Sequence, residues 1–367
     1  MIGLLGASGA VGSAAAELLP LPLRLGFRRR PAQVRPGAEV VETDITDEAR
    51  LAEFCRGCTV VLNCAGPSAI LGDRVARAAL VAGASYVDAF GDDVVHEALR
   101  SAVLPVDFIA VLSAGTVPGL SGVLPIWLTR RGIASLDRVS AHAGGLERCT
   151  PAAAADMLLS VTGTDGAGGS YGQALAAWQD GTVRPGALRV TEDTRLPFFP
   201  DPVTVQPYLS TEAQRLAHTL GAARVEWHTV FPGSRARMSL ARWRAEPPNS
   251  PSTMDRAVAD LVTAAEVDLA GRSPYYVITV RAEGRTADGA PHRVTAVLRT
   301  EDSYRLTATV AVAAVEQVLA GAIPPGVHFA AQALEPEVLI ERVRSAGVVT
   351  ALEAIIDTGA EDEEGVL

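Results

Sequence analysis

The sequence contains no lysine: all 32 of its cationic side chains are arginine. That absence excludes Schiff-base catalysis, a lysine general base and the lysine of a phosphate-binding P-loop. Cysteine is scarce too, four in 367 residues, too few for a secreted disulfide framework. Positive charge is outweighed by 42 Asp and Glu, leaving a net charge of -10, so no nucleic-acid partner is expected. Every apolar run is broken by Gly, Pro or charge before the ~20 residues that a membrane span needs. Met1 leads directly into Ile2-Gly3-Leu4-Leu5-Gly6, which reads as a strand and not as a signal peptide. No membrane partner and a cytoplasmic location are therefore expected. What the chain does have is apolar material: 48% hydrophobic against 20% charged residues. At ~150 residues per domain that is enough for about two cores.

The first third alternates short β-rich runs with helical stretches, the pattern of a parallel sheet with crossover helices. Strands are expected at Ile2–Leu5, Leu23–Phe27, Glu39–Glu42, Thr59–Asn63, Tyr86–Val87 and Phe108–Leu112, with helices between them. After Pro118-Gly119 the rhythm changes. Leu120–Arg130, Ala152–Val161, Gln173–Gln179 and Tyr304–Ala320 read as helices, and Pro336–Arg344 as a helix near the end. Arg138–His142, Arg224–Phe231 and Met238–Trp243 read as strands, and Tyr275–Glu283 with His292–Arg299 as a hairpin. A Gly-rich stretch, Gly163–Gly172, reads as a mobile lid over substrate or a disordered excursion, and Glu361-Asp362-Glu363-Glu364 as a frayed acidic tail. The fold class expected is α/β: an N-terminal doubly wound Rossmann domain over residues 1–120 and an α+β domain over 121–328. Residues 329–367 should supply a C-terminal helix folding back on the first domain, and the tail. No internal repeat is present.

The sharpest motif is Gly6-Ala7-Ser8-Gly9-Ala10-Val11-Gly12, directly after a strand and opening a helix. Gly6 permits the tight turn, Gly9 lets a pyrophosphate approach the helix N-terminus, and Gly12 lets the helix pack closely on the sheet. A dinucleotide is implied, and the end of the second strand says which. An NAD enzyme carries an acidic residue about 20 residues past the motif, for the ribose 2′-hydroxyl. No acidic residue lies between Glu17 and Glu39; instead Arg28-Arg29-Arg30 follows the strand. A guanidinium fork suits a 2′-phosphate, so NADP(H) is the expected cofactor. Asp44-Ile45, after the third strand, is placed to flank the adenine. Cys64-Ala65-Gly66-Pro67, at the end of the fourth, leaves room for the ribose at the edge where ligands bind.

At these residues the chain resembles the saccharopine dehydrogenase (saccharopine reductase-like) family. The matching stretches are the glycine motif, Val60-Val61-Leu62-Asn63-Cys64-Ala65-Gly66-Pro67, Ala82-Gly83-Ala84-Ser85-Tyr86-Val87-Asp88, Val117-Pro118-Gly119-Leu120 and Asp302-Ser303-Tyr304. The segment from Cys149 to Pro251 does not match. The resemblance implies NAD(P) binding, reduction of a C=N bond, and a second domain carrying substrate and homodimer contacts. The compact size is similar to that of the thiazoline or thiazolinyl-imine reductases of siderophore (pyochelin-like) assembly. That branch implies a substrate carried on a nonribosomal peptide synthetase. An opine- or saccharopine-type dehydrogenase is the second enzymatic reading, marked by arginines converging on the nicotinamide. A non-catalytic NADPH-binding sensor is the third.

Reducing an imine also requires a proton for its nitrogen. His142, ending a strand after the domain junction, is the first candidate donor, with Glu147 placed to orient it and Tyr171 as an alternative. Cys55-Arg56-Gly57-Cys58 has the CxxC spacing, but no second pair or nearby His accompanies it, so no metal is expected.

Overall fold

A computed structural model describes residues 1–29, 34–162 and 171–357. Arg30, most of the Gly-rich stretch and the acidic tail lie outside the described residues.

The first six strands are β1 (Ile2–Leu5), β2 (Leu23–Phe27), β3 (Glu39–Glu42), β4 (Val60–Asn63), β5 (Ser85–Asp88) and β6 (Ile109–Leu112). Between them run α1 (Ala10–Leu18), α2 (Glu48–Cys55), the single turn α3 (Ser68–Leu71), α4 (Arg74–Val81) and α5 (Asp93–Arg100). Alternation along each strand sends neighbouring side chains to opposite faces. Leu4, Leu62, Val87 and Val111 therefore join one core. Leu5, Val61, Tyr86 and Leu112 join the other, beneath α2, α4 and α5. Burial on both faces is what a parallel sheet demands.

The second half supplies α6 (Leu120–Thr129), β7 (Ser135–Leu146), α7 (Pro151–Thr162), β8 (Gly172–Ala174), β9 (Ala177–Gln179), β10 (Thr182–Arg184), β11 (Thr191–Thr194) and β12 (Val203–Ser210). Next come α8 (Thr211–Leu220), β13 (Arg224–Phe231), α9 (Arg235–Ala245), α10 (Pro251–Leu269), β14 (Tyr275–Arg285) and β15 (Pro291–Thr300). The chain ends with α11 (Ser303–Leu319), β16 (Gly326–Phe329), the turn α12 (Ala330–Ala333), α13 (Pro336–Ser345) and β17 (Ala351–Asp357). The first sheet runs β16-β6-β5-β4-β1-β2-β3, all parallel, so the connection order reverses between β1 and β4. The second is a ten-stranded mixed sheet whose main path runs β10-β9-β13-β7-β14-β15-β17. The α/β class with a Rossmann domain and a second mixed-sheet domain is therefore as expected. No helix among the described residues is long and apolar enough to cross a membrane.

Two segments fold otherwise than their sequences predict. Gln173–Gln179 is not helical: β8 pairs with β12, β9 pairs with β13, and Leu175 between them takes φ +59°. Helix-favouring Ala and Leu are overridden by tertiary pairing. Met238–Trp243 is not a strand but lies within α9, where Leu240 and Trp243, three residues apart, pack together against α7 and α10. The last segments interleave the two sheets. β16 extends the first sheet beside β6, β17 extends the second beside β15, and α13 packs on α6 and α11.

One apolar cluster joins Leu4 and Leu62 of the first sheet, α6 and α11, and Ile278 and Val280 of the second. At its edge Glu212, fully buried at the start of α8, accepts hydrogen bonds from the Gly119 N–H (2.6 Å) and the Ser121 hydroxyl at the start of α6. Burial pushes its carboxyl up to about 7. An acid whose pKa rises on folding binds its proton more tightly in the folded state. Its contribution is therefore greatest below pH 4.5 and declines as pH climbs to about 7. Thermal or urea unfolding between pH 5 and 8 is expected to show this decline, roughly 1–3 kcal/mol in size. Glu212→Gln, which preserves the shape, should flatten it; an unchanged pH profile in the variant would refute the assignment.

Candidate functional site: a crevice at the switch point

In open α/β sheets ligands bind outside the carboxyl ends of the strands, where the connection order reverses. Here that point lies between the loops after β1 and β4. Gly6 takes φ +77°, and a Cβ there would lie 2.5 Å from the Ala65 nitrogen of the second loop. A Cβ on Gly12 would lie 2.0 Å from the Gly6 carbonyl oxygen. Neither position tolerates a side chain, so α1 begins hard against its own turn. Its N-cap is Gly9, with no side-chain cap and no acidic residue in the first turn. The first-turn N–H groups, bare of side-chain partners, fit an anionic pyrophosphate. The residues present thus suit a dinucleotide.

At the outer end of the crevice Arg28 and Arg29 follow β2, both exposed. Asp44 lies beside Arg28. Hydrogen bonds from the Thr46 N–H (2.9 Å) and hydroxyl (2.7 Å), with the Arg28 charge adding to them, hold its carboxyl below the usual range. Ile45 packs partly buried against the core under α2.

The loops after β4 and β5 are fixed by a buried polar network. Asn63 accepts from the Ala65 N–H (3.1 Å) and donates to Asp88 (3.2 Å). Tyr86 donates its hydroxyl proton to the same Asp88 oxygen. The other Asp88 oxygen accepts from the Phe90 (2.9 Å) and Gly91 (2.7 Å) N–H groups. Cys64 is buried, and burial together with Asp88 pushes its thiol far up, so it serves as a small neutral side chain. Cys55 and Cys58 are buried as well, Cys55 pushed up to about 12 by burial, and among the described residues no cluster could hold a metal ion.

The second domain faces this crevice with α7 and the ends of β8 and β12. Asp156 of α7 accepts a hydrogen bond from the Ser68 N–H (2.8 Å), and its other oxygen lies 3.2 Å from where a Cβ on Gly66 would stand. Burial pushes its carboxyl up to about 6, Asp88 adding to the rise and the Ser68 N–H opposing it. Tyr171 is tied in by its carbonyl, which accepts from Thr211 N (3.1 Å). Its hydroxyl is pushed up by burial and by the charges of Asp156 and Asp92. Tyr208 lies alongside, its buried hydroxyl without a partner among the described residues and pushed up to about 12. Asp92 is bound to Arg215 (2.7 Å) and the Thr211 hydroxyl (3.2 Å).

Of the proton candidates, only Tyr171 stands in this crevice. His142 projects from the face of β7 opposite Ala141 and Ala143, stacked on His228 with centroids 4.6 Å apart. Burial, then His228 and Arg281, push it down to about 4. Glu147 does not bond to it; its carboxylate accepts from the Ser303 hydroxyl (2.6 Å) and N–H (3.2 Å), holding the start of α11. Sequence reasoning did not single out Asp156, Asp92 or Tyr208. The one available signal was an acidic residue set in the apolar run Pro151–Ser160.

No family profile matches the sequence, and no curated protein matches it. Among solved structures the chain is similar to apo saccharopine dehydrogenase (L-Glu forming) from Saccharomyces cerevisiae. The TM-score is 0.67 and the identity 15%, over 97% of this chain and 99% of that one. A mutant meso-dapdh with DAP from Clostridium tetani E88 aligns at TM-score 0.46 and 15% identity, over 92% and 95% of the two chains. Uronate dehydrogenase from Agrobacterium tumefaciens aligns at 0.22 and 22%, over 24% and 40%. The last two likenesses carry no weight here; the first shows that the chain has the fold of a saccharopine dehydrogenase along nearly its whole length.

Proposed function

We propose that this protein is an NADPH-dependent oxidoreductase that reduces a C=N bond. The observation that carries the reading is the bare glycine turn at the switch point with Arg28, and no acid, following β2. Gly6, Ala7, Ser8, Gly9, Ala10, Val11 and Gly12 would hold the pyrophosphate. Arg28 and Arg29 would hold the 2′-phosphate, Asp44 and Ile45 the adenine side, and Cys64, Ala65, Gly66 and Pro67 the ribose. The bound cofactor supplies a hydride. The chain's part is to place substrate beside it, exclude water and provide a proton. The fold shared with a saccharopine dehydrogenase is consistent with this chemistry.

Within the C=N class we favour a thiazoline or thiazolinyl-imine, presented by a nonribosomal peptide synthetase in siderophore assembly. The support is the charge of the crevice: the Tyr171 hydroxyl stands in the field of Asp156 and Asp92, and Arg215 is already paired with Asp92 and Asp93. Such an environment suits a basic ring nitrogen better than the several carboxylates of an opine-type substrate.

We also propose a homodimer through the second sheet. The face of β7, β13, β14 and β15 turned away from the core carries Ser140, His142, His228, Thr279 and Thr295, and Ile355 at its β17 edge is 41% exposed. Twofold self-association is the commonest way such a face is covered.

Two measurements test these readings. Fluorescence titration should show NADPH binding more tightly than NADH, and Arg28→Ala should cost about ten- to a hundredfold in NADPH affinity while sparing NADH. Equal affinities in the unmutated protein would refute the assignment. Light scattering at micromolar concentration should give twice the monomer mass, and a monomer there would refute the dimer.

A further inference from the structure

We infer that Asp156, carried into the crevice by α7 of the second domain, is the group that gives the substrate nitrogen its proton; this rests on the C=N reductase reading. Three geometric observations converge on it. First, the carboxyl reaches across 88 positions of sequence to the loop after β4, where Ser68 N–H fixes one oxygen at 2.8 Å. That loop bounds the crevice in which ligands of this fold bind. Second, the other oxygen lies over Gly66, 3.2 Å from where a Cβ would stand, so the missing side chain is what admits the carboxyl there. One oxygen is thus held, and the other has no hydrogen-bond partner among the described residues. Third, the Tyr171 carbonyl accepts from Thr211 N–H, the Thr211 hydroxyl bonds Asp92, and the charges of Asp156 and Asp92 both reach the Tyr171 hydroxyl. The partnerless hydroxyl of Tyr208 lies next to Tyr171.

The surroundings explain why this carboxyl can carry a proton near neutrality. The charged group that reaches it is Asp88, at the end of β5, and burial acts in the same direction. α3 (Ser-Ala-Ile-Leu) brings no titratable side chain, and α9 and α10 meet α7 through Leu240, Trp243, Ala257 and Leu261. A pKa of about 6 puts the acid close to working pH, where general-acid efficiency is best. In the step itself the substrate carbon gains a hydride from the reduced nicotinamide. The C=N π pair becomes the new N–H bond as the proton leaves the Asp156 oxygen. Asp156 remains as a carboxylate and regains a proton from solvent.

Asp156→Asn is the discriminating variant, because its amide oxygen still accepts from Ser68 N–H and any purely structural role survives. With NADPH and 2-methyl-2-thiazoline as the probe, the variant should lose ~10²–10⁴-fold in kcat while NADPH affinity stays within about twofold. The wild-type to variant ratio of kcat/KM should fall about tenfold per pH unit above pH 6. His142→Ala should leave kcat and its pH profile unchanged. A variant with wild-type kcat and an unaltered profile overturns the role of Asp156 while leaving the reductase reading intact. Wild-type protein that binds NADPH but reduces no thiazoline overturns that reading and this inference with it. A measurement that needs no substrate is ¹³C titration of the aspartate carboxyl carbons, with Asp156 identified by the resonance lost in Asp156→Asn. It should titrate near pH 6; titration at the ordinary aspartate value near 4 overturns the inference.

Discussion

Helix α11 is the constraint on which the arrangement depends. From Leu306 to Val315 every residue is buried, so the helix has no face that water could cover. An all-round apolar helix is stable only inside a core, and here the core has to be built from both halves of the chain. α1 packs along it from the first domain, and the shared cluster continues to Ile278, Val280 and Ala296 of the second sheet. Polar contacts pin its start: Glu147 bonds Ser303, Asp302 caps the Arg305 N–H at 2.9 Å, and the Thr116 and Thr307 hydroxyls meet at 2.9 Å. Arg305 reaches Glu17 of α1 at 3.2 Å. The helix that lies on α1 thereby also fixes where the second domain stands. Tyr304, on its first turn, accepts from Thr150 N–H and so locates the start of α7. The position of Asp156 over the loop after β4 follows from that anchoring.

Much of the first domain was legible because its signals are local. A glycine turn between strand and helix, and strands apolar enough for burial on both faces, need no knowledge of the rest of the molecule. What failed in the second domain failed for want of distant partners. Gln173–Gln179 has helix-forming composition, yet the edges of β12 and β13 were waiting for it. Met238–Trp243 was read as a strand, although Leu240 and Trp243 already stood three apart in helical register. α10 was passed over in the sequence, although Ser250-Pro251 with Thr253, a capping box with proline in the first turn, marks its start.

The pairing of His142 with Glu147 illustrates a subtler error. Five positions apart along an extended chain, two side chains point to opposite faces of the sheet. His142 accordingly joins His228, Ser140 and Thr279 on the face away from the core, while Glu147 turns inward to α11. Proximity in sequence stood in for proximity in space, and alternation alone was sufficient to reject it. Asp156 had no such local clue, because its partner, Ser68, lies 88 residues away.

The missing lysine bears on the chemistry as well as on the composition. Arginine keeps its proton throughout the working pH range, so none of the 32 Lys and Arg positions can act as an acid or base near neutrality. The tyrosines of the crevice are pushed upward by burial, and the buried cysteines with them. His142, pushed down to about 4, is neutral and has no extra proton to give. Four buried carboxyls are pushed up by burial, of which Asp92 spends its oxygens on Arg215 and Thr211 and Glu147 on Ser303. Glu212 spends both its oxygens on the turn that starts α6. Asp156 spends one, and holds the other at the edge of the crevice. In a crevice without lysine or histidine among its described residues, acid–base work falls to whichever carboxylate is desolvated without being fully satisfied, and the fold leaves Asp156 in that condition.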